Sequence, residues 1–290
     1  MSEVAAASSG KSHRDENFPV ASLIAPRFRA PVLAFYNFVR AADDVADHAT
    51  LTPDKKLMLL DGLAQALTGE GPSDPVAEPL KRTLAERNIT SRHALDLIDA
   101  FKLDATKNRY RDFDDLIDYC RLSAMPVGRY VLDVHGESRE TWVASDKLCA
   151  ALQIINHLQD CGKDFKALDR VYIPADALAA HGAKIEMLGG ARATSELRAT
   201  IVDLAQRTRS LLAESAAFPA QVRDVRLAMN VAAIQRLAEK LTDGLLVRDP
   251  LSEKVHASKA GFILTALGAA GAVLARRALP FGSGRRERGA

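Results

Sequence analysis

Apolar residues recur at helical spacing along most of the chain, and this pattern limits the fold more than any other feature of the sequence. Between residues 141 and 165, for example, Trp142, Leu148, Leu152, Ile155 and Leu158 fall near one stripe. Comparable stripes run through residues 30–48, 53–68, 92–106, 112–135, 195–217 and 221–246. We find no segment that alternates apolar and polar residues convincingly, as a half-buried strand does. The pattern therefore predicts an all-α, single-domain bundle of helices.

The composition excludes several classes of protein. The 290 residues are 48% hydrophobic, which is more than a disordered chain contains. Lys and Arg number 39 against 37 for Asp and Glu, so no overall field indicates a nucleic-acid partner. The three cysteines lack the spacing of a zinc site or a disulfide framework, which favours a reducing, cytoplasmic location.

The two ends differ from the body of the chain. Residues 1–16 are polar and contain no apolar core of a signal peptide, so we expect a disordered N-terminus before a helical domain of residues 17–259. Residues 260–290 combine an uncharged apolar helix with a basic tail. The apolar stretch 260–275 reaches about 24 Å as a helix, short of a hydrocarbon core of about 30 Å. Two alternatives stay open: a buried terminal helix, and peripheral contact of the basic tail with the inner face of the cytoplasmic membrane.

Two acidic clusters lie on otherwise apolar helices. In the first, Asp43 and Asp47 are four residues apart, so both carboxylates point the same way. The second is a single polar stripe made of Gln153, Asn156, Asp160 and Asp164. Such stripes cost desolvation free energy unless a partner satisfies them, and a hard divalent cation does so.

If the two stripes face each other, they form a cavity with acidic groups and apolar walls. Mg²⁺ typically joins one or two carboxylates to the phosphates of a substrate. The pattern therefore favours a substrate with a diphosphate head and a hydrocarbon tail. For the first cluster taken alone, a solvated helix end is an equally good interpretation.

The two clusters, in this order, resemble those of the head-to-head prenyl synthases, the squalene/phytoene synthase family. The resemblance runs from about Asn17 to about Lys259 and includes the segments NFPVASLIAPRFRAPVLAFYNFVRAADDVAD, RYRDFDDLIDYC and LQIINHLQDCGKDFKALDRVYIP. It implies a helical bundle of the isoprenoid-synthase type around a central cavity. The HRDENFPVAS opening and the YCRLSAMPVGR segment are most similar to bacterial members of the hopanoid route.

This resemblance implies roles for individual residues. The four aspartates would be catalytic and, with Gln153 and Asn156, would hold Mg²⁺ ions that bridge the diphosphate. Arg40 matches an arginine that contacts phosphate in relatives, and Tyr172 matches a tyrosine near the same group. Aromatic faces favour cations, and the candidates for the wall around a carbocation are Phe35, Tyr36, Phe38, Tyr110 and Tyr119. Ordinary core packing is the alternative for each of them.

Some positions depart from the family members that carry out two successive steps. Arg121 stands where those members have tyrosine, and Gln159 stands where some have arginine. We expect Arg121 to contact the substrate, and we consider Arg121, Gln159 and His157 as hypotheses for the group that positions water. The departures favour the second step alone: presqualene diphosphate and water give hydroxysqualene and diphosphate, on the way to squalene and hopanoids.

Two other functions stay open at this point. One is the condensation of two farnesyl or geranylgeranyl diphosphates to presqualene or prephytoene diphosphate, or to squalene. The other is a non-catalytic accessory subunit of a prenyl synthase. The implied cofactor is Mg²⁺. The implied partners are a prenyl diphosphate substrate and neighbouring enzymes of the squalene pathway, with no nucleic acid.

Overall fold

The helices account for nearly all of the regular structure. The computed structural model describes residues 3–6, 24–256 and 259–278. Its helices are α1 (Glu3–Ala6), α2 (Pro26–Ala46), α3 (Pro53–Thr68), α4 (Glu78–Arg87), α5 (Arg92–Thr106), α6 (Phe113–Ser123), α7 (Met125–His135), α8 (Trp142–Leu168), α9 (Ala175–Ala180), α10 (Ser195–Glu214), α11 (Phe218–Gln221), α12 (Val225–Val247) and α13 (Lys259–Ala278). Within these ranges the only β pairing is an isolated bridge between Arg109 and Val171. The predicted all-α class is confirmed.

Helix ends follow capping chemistry that is visible in the sequence. The side chains of Thr52, Asp112 and Asp224 each accept a hydrogen bond from a backbone N–H in the first turn of α3, α6 and α12. Gly69 ends α3 with a φ of 84°, a left-handed conformation that glycine adopts at little cost.

Two parts of the sequence-based prediction need correction. Residues 112–135 form two helices, because the chain breaks at Ala124, which has φ −122° and ψ −47°. Pro126 follows two residues later, and its ring supplies no N–H to continue the helix. Helix α4 was not predicted, because its segment EPLKRTLAER carries only two large apolar residues, Leu80 and Leu84, and both are buried.

The described helices build two hydrophobic cores with a cavity between them. The first core joins α2, α3, α4 and α5 and takes Tyr130 and Val134 from α7. The second joins α6, α8, α10 and α12 with shorter elements. The hydroxyl of Tyr130 donates to the carbonyl of Pro31 at 3.0 Å and so ties α7 to α2. Because both cores contribute walls, the cavity depends on how the two halves pack.

The chain ends lie partly beyond the described residues. In the predicted N-terminal segment, the turn Glu3–Ala6 is described, with Val4 buried and Glu3 paired with Lys55 at 2.7 Å. The rest of that segment, the HRDENFPVAS opening and residues 279–290 of the basic tail lie outside them. Helix α13 packs along α12, where Lys240 donates to Thr265 at 2.6 Å. None of the described helices has the length and apolar character needed to cross a bilayer.

Candidate active site

A cavity of about 430 Å³ lies between the two cores. Helices α2, α5, α6, α7 and α8 and the loop after α8 supply its walls. Apolar side chains that line it include Val32, Phe35, Leu97, Phe101, Val127 and Val131. The remaining walls carry carboxylates, amides and two arginines, Arg40 and Arg170. The cavity therefore has both apolar and strongly polar surfaces.

The two acidic clusters meet in this cavity. Asp43 and Asp47 reach it from the C-terminal end of α2, and Gln153, Asn156 and Asp164 reach it from α8. Asp160 lies one turn before Asp164 and is not part of the lining, but its charge acts on Asp164. The alternative of a solvated helix end therefore does not describe Asp43, which lines the same cavity as the second cluster.

Burial and mutual repulsion raise the pKa of two carboxyls well above the ordinary range. Burial raises the pKa of Asp43 to about 7, and the charge of Asp47 adds to this, while Arg40 opposes it. Burial, followed by the charge of Asp160, raises the pKa of Asp164 to about 7. The field of Asp47 also reaches Asp164, so the clusters act on one another. The cavity thus holds more negative charge than its own cations neutralise, which favours binding of a cation.

Arg40 lies within the first cluster. Its Nη1 is 3.0 Å from Oδ2 of Asp43, and its Nη2 is 3.1 Å from Oδ1 of Asp44. The side chain also lines the cavity and is about one-fifth exposed. A guanidinium in this place can contact a phosphate oxygen while it stays paired with α2.

The donor set fits a hard divalent ion that shares its coordination with a ligand. Within the described residues, no three His, Cys, Asp or Glu side chains already form a group that would hold a metal alone. Mg²⁺ does not need one, because it usually takes one or two carboxylates together with water and phosphate oxygens. Asn156 supports this fit, since its buried Oδ1 has no hydrogen-bond partner. The carboxylates of Asp43, Asp47 and Asp164 supply further oxygens at the cavity.

Two further residues that line the cavity, Arg170 and Asp104, are not predicted from the sequence. Arg170 is buried, and its Nη1 donates to Oδ1 of Asp47 at 2.6 Å, while its Nε donates to the backbone carbonyl of Asp104 at 3.1 Å. Asp169, with a φ of 50°, ends α8 and turns the chain, so that Val171 pairs with Asn108 at 3.0 Å. Arg170 thereby links the first cluster to α5.

Asp104 could have been found, because it continues an apolar stripe. Leu97, Phe101 and Asp104 are spaced four and three residues apart on α5, and all three line the cavity. A carboxylate on such a stripe is the same signal that identified the two clusters. Arg170 carries no comparable signal, since it lies past the end of α8 and its position depends on the turn at Asp169.

Aromatic rings cover one side of the polar part of the cavity. Tyr119, Tyr172 and His157 line it, and the ring of His157 stacks on Tyr172 with centroids 3.5 Å apart. Burial lowers the pKa of His157 to about 3, so the ring is neutral at physiological pH. Phe35 lines the apolar part and stacks on Tyr130 at 3.9 Å.

Of the other candidates from the sequence, only some line the cavity. Tyr36 lines the cavity, whereas Phe38 is fully buried core and Tyr110 packs behind Tyr119 and Tyr172. The structure does not bring Arg121 to the cavity, because its exposed side chain pairs with Asp118. Gln159 is also turned away: its Nε2 donates to the carbonyl of Val255.

Comparison with known proteins gives three kinds of match. A family model for squalene/phytoene synthases matches residues 11–260. The chain is 54% identical over 277 residues to a hydroxysqualene synthase of Rhodopseudomonas palustris, which covers 95% of this chain and 94% of the relative. It is 52% identical to a hydroxysqualene synthase of Zymomonas mobilis over 88% of this chain and 87% of that one.

Solved structures agree in fold. A squalene synthase from Alicyclobacillus acidocaldarius superposes with a TM-score of 0.67 at 27% identity and covers 95% of this chain and 92% of that chain. A dehydrosqualene synthase in complex with a ligand gives a TM-score of 0.75 at 23% identity, over 94% of this chain and 97% of that one. The second likeness concerns the fold alone.

Proposed function

The chain belongs to the squalene/phytoene synthase family and is an enzyme of that family, and from this premise we propose that it converts presqualene diphosphate and water to hydroxysqualene and diphosphate. The observation that carries the proposal is the meeting of two aspartate clusters in one cavity whose other walls are apolar and aromatic. Close relatives named hydroxysqualene synthases support the choice of reaction.

The reaction breaks one carbon–oxygen bond, forms another, and rearranges and opens the cyclopropane of the substrate. The carbon–oxygen bond to the diphosphate breaks, and its electron pair leaves with the diphosphate. Carbon–carbon bonds of the cyclopropylcarbinyl cation shift, a ring bond opens as water donates an electron pair to carbon, and one proton is released to solvent. No electrons are gained or lost overall, so the reaction needs no reductant.

The residues of the cavity match these requirements. Asp43, Asp47 and Asp164, with Gln153 and Asn156, would hold Mg²⁺, which when bound neutralises charge that develops on the departing diphosphate. Asp160, whose charge acts on Asp164 one turn away, would belong to the same set. Arg40 supplies a further cation for the phosphate oxygens. Phe35 and its apolar neighbours exclude water from the hydrocarbon chains.

The decisive test is incubation of the purified protein with presqualene diphosphate and Mg²⁺, without reductant, and identification of the product by mass. We expect hydroxysqualene and free diphosphate, and no turnover in excess chelator. A second incubation with farnesyl diphosphate checks the condensation reaction. Rapid formation of presqualene diphosphate there, with no hydroxysqualene in the first incubation, would contradict the proposal. Failure of both would favour an accessory subunit.

Helix α13 provides a surface that fits the predicted membrane contact. On its side toward α12, the small side chains of Ala269 and Val273 are buried. Its outer side exposes large apolar side chains by half or more of their area: Ile263, Leu264, Leu267 and Leu274. Arg276 lies exposed near its end, and the sequence after Ala278 adds three arginines against one glutamate. An anionic bilayer surface complements both features.

Vesicle binding tests this contact. The wild type is expected to float with vesicles that contain phosphatidylglycerol and to bind neutral phosphatidylcholine vesicles weakly. The double substitution Leu264→Ser and Leu267→Ser should weaken binding at least about tenfold, since burying one leucine contributes about 1.5–3 kcal/mol. Val143→Ser is the control, because Val143 is 70% exposed on α8. Equal binding of all three, or self-association through α13 in sedimentation experiments, would contradict the membrane assignment.

A further inference from the structure

Asp104 is a buried carboxylate whose two oxygens are each bonded to a tyrosine of the cavity wall. Oδ2 accepts from the hydroxyl of Tyr119 at 2.9 Å, and Oδ1 accepts from the hydroxyl of Tyr172 at 2.9 Å. Only 7% of the residue is exposed. Burial raises the pKa of Asp104 to about 6, while the guanidinium of Arg170, which bonds to its backbone carbonyl, and the two phenols oppose this rise. One carboxylate therefore fixes the direction of two phenols from different elements.

The two phenols belong to a larger group of rings. The centroids of Tyr119 and Tyr172 are 5.4 Å apart. Tyr172 stacks on His157 at 3.5 Å and on Tyr110 at 5.5 Å. A hydroxyl that donates to a carboxylate is polarised by it, so the oxygen and the ring become richer in electrons. Such rings attract a neighbouring cation more strongly than phenols bonded to water do.

We propose that Asp104 is a positioning residue that holds Tyr119 and Tyr172 at the cavity wall and keeps both rings electron-rich where the carbocation forms. It acts through the two tyrosines and does not itself touch the reacting carbon. Because a fixed cation reacts with water at one carbon, Asp104 limits the products to one alcohol. This last consequence rests on the proposed function, whereas recognition of a cation by the rings does not.

The substitution Asp104→Asn preserves side-chain volume but removes the charge, and its amide nitrogen accepts no hydrogen bond, so one phenol loses its acceptor. The matched control is Asp96→Asn, since Asp96 lies on the same helix, is also 7% exposed, pairs with Arg92 and does not line the cavity. We expect Asp104→Asn to lower kcat about tenfold to a hundredfold, the effect typical of losing a supporting partner. The KM for presqualene diphosphate should stay close to that of the wild type, and isomeric alcohols and hydrocarbons should appear beside hydroxysqualene.

A binding measurement tests the inference separately from turnover. The probe is a farnesyl dimethylammonium ion, titrated calorimetrically with Mg²⁺ and inorganic diphosphate present, and the reference is farnesol. Asp104→Asn should weaken binding of the ammonium ion about tenfold and leave farnesol unaffected. If the wild type makes no hydroxysqualene but this difference holds, the proposed function fails and the role of Asp104 stands. If Asp104→Asn binds the ammonium ion as Asp96→Asn does, the inference fails.

A variant that lacks both tyrosine hydroxyls tests the inference even if the Asp104 variant does not fold. Tyr119→Phe with Tyr172→Phe should reproduce the weaker ammonium binding and the broader product mixture. Adding Asp104→Asn to that background should change little, because residues that act through one another are not additive. Fully additive effects would overturn the assignment, since they would mean that Asp104 acts independently of the two phenols.

Discussion

Asparagine in place of Asp43 is expected to lower kcat/KM for presqualene diphosphate about a thousandfold, because a metal ion contributes several kcal/mol and each 1.4 kcal/mol is about tenfold in rate. Asp43 lies at the point where α2 meets the second cluster, and it is one of the carboxylates that face the cavity. An amide oxygen keeps the shape of the site but carries no charge to hold Mg²⁺. The measurement is initial rate against substrate concentration at saturating Mg²⁺.

The same variant is expected to be at least as stable as the wild type at pH 8 without metal. In the folded protein the pKa of Asp43 is raised to about 7, above the ordinary value of 3.8 that applies when the chain is unfolded. Between these two values the folded state binds more protons than the unfolded state, so the free energy of unfolding falls as pH rises. Asparagine removes this contribution. Thermal unfolding at pH 5 and pH 8, values inside and above that interval, therefore separates loss of function from loss of fold.

Asp99→Asn provides the control for Asp43. Asp99 belongs to α5, and its side chain is 51% exposed, with Lys102 at 3.9 Å. Its rate and stability should match those of the wild type. Activity retained by Asp43→Asn at limiting Mg²⁺ would contradict the metal assignment.

Methionine in place of Arg170 is expected to lower the free energy of unfolding by about 2–3 kcal/mol, near the lower end for a broken buried ion pair. Arg170 supports three groups from two helices: the carboxylate of Asp47 and the carbonyls of Ala46 and Asp104. Removing it takes the donor away from Asp47 and from the carbonyl of Asp104, while the carbonyl of Ala46 keeps its bond from Lys56 at 2.7 Å. The loss stays below the upper end of the range because the Asp47 side chain is 46% exposed and water can solvate it. The change is read from urea unfolding curves.

The neighbouring surface pair provides the control for Arg170. Arg109 contacts Asp169 at 2.6 Å, and the two side chains are 38% and 66% exposed. Arg109→Met should cost less than about 1 kcal/mol, as exposed pairs do. Equal losses for both variants would show that Arg170 acts as an ordinary surface charge. Turnover should fall with Arg170→Met alone, because only that variant disturbs the first cluster.

The fold was predictable from the sequence to the extent that periodicity specifies it. The segments 53–68 and 92–106 are predicted with the boundaries that α3 and α5 have, because apolar stripes mark them. Helix α4 is not predicted from the sequence, because two leucines among charged residues form too weak an apolar stripe. The break at Ala124 is not predicted either, because the helical spacing of apolar residues continues across it and only Pro126 marks the interruption.

The site was predictable where its residues lie on helices. Asp43 and Asp164 were found because polar groups on apolar stripes are costly, and the structure places both at one cavity. Arg170 could not be found in this way, because its contacts are made by a loop that returns to α5 and α2. Arg121 illustrates the opposite error. Its position in the family pattern predicts contact with the substrate, but its side chain is exposed and pairs with Asp118.

The break at Ala124 has a consequence for the shape of the hydrocarbon that the cavity can hold. Tyr119, Ser123, Val127 and Val131 are four residues apart and line the same space. In a straight helix every fourth residue turns about 40° further round the axis, so the last of them would face away from the first. Because the helix is interrupted at Ala124, all four side chains line one cavity. The space open to a hydrocarbon chain therefore depends on this interruption, and a continuous helix from α6 to α7 would remove part of the wall.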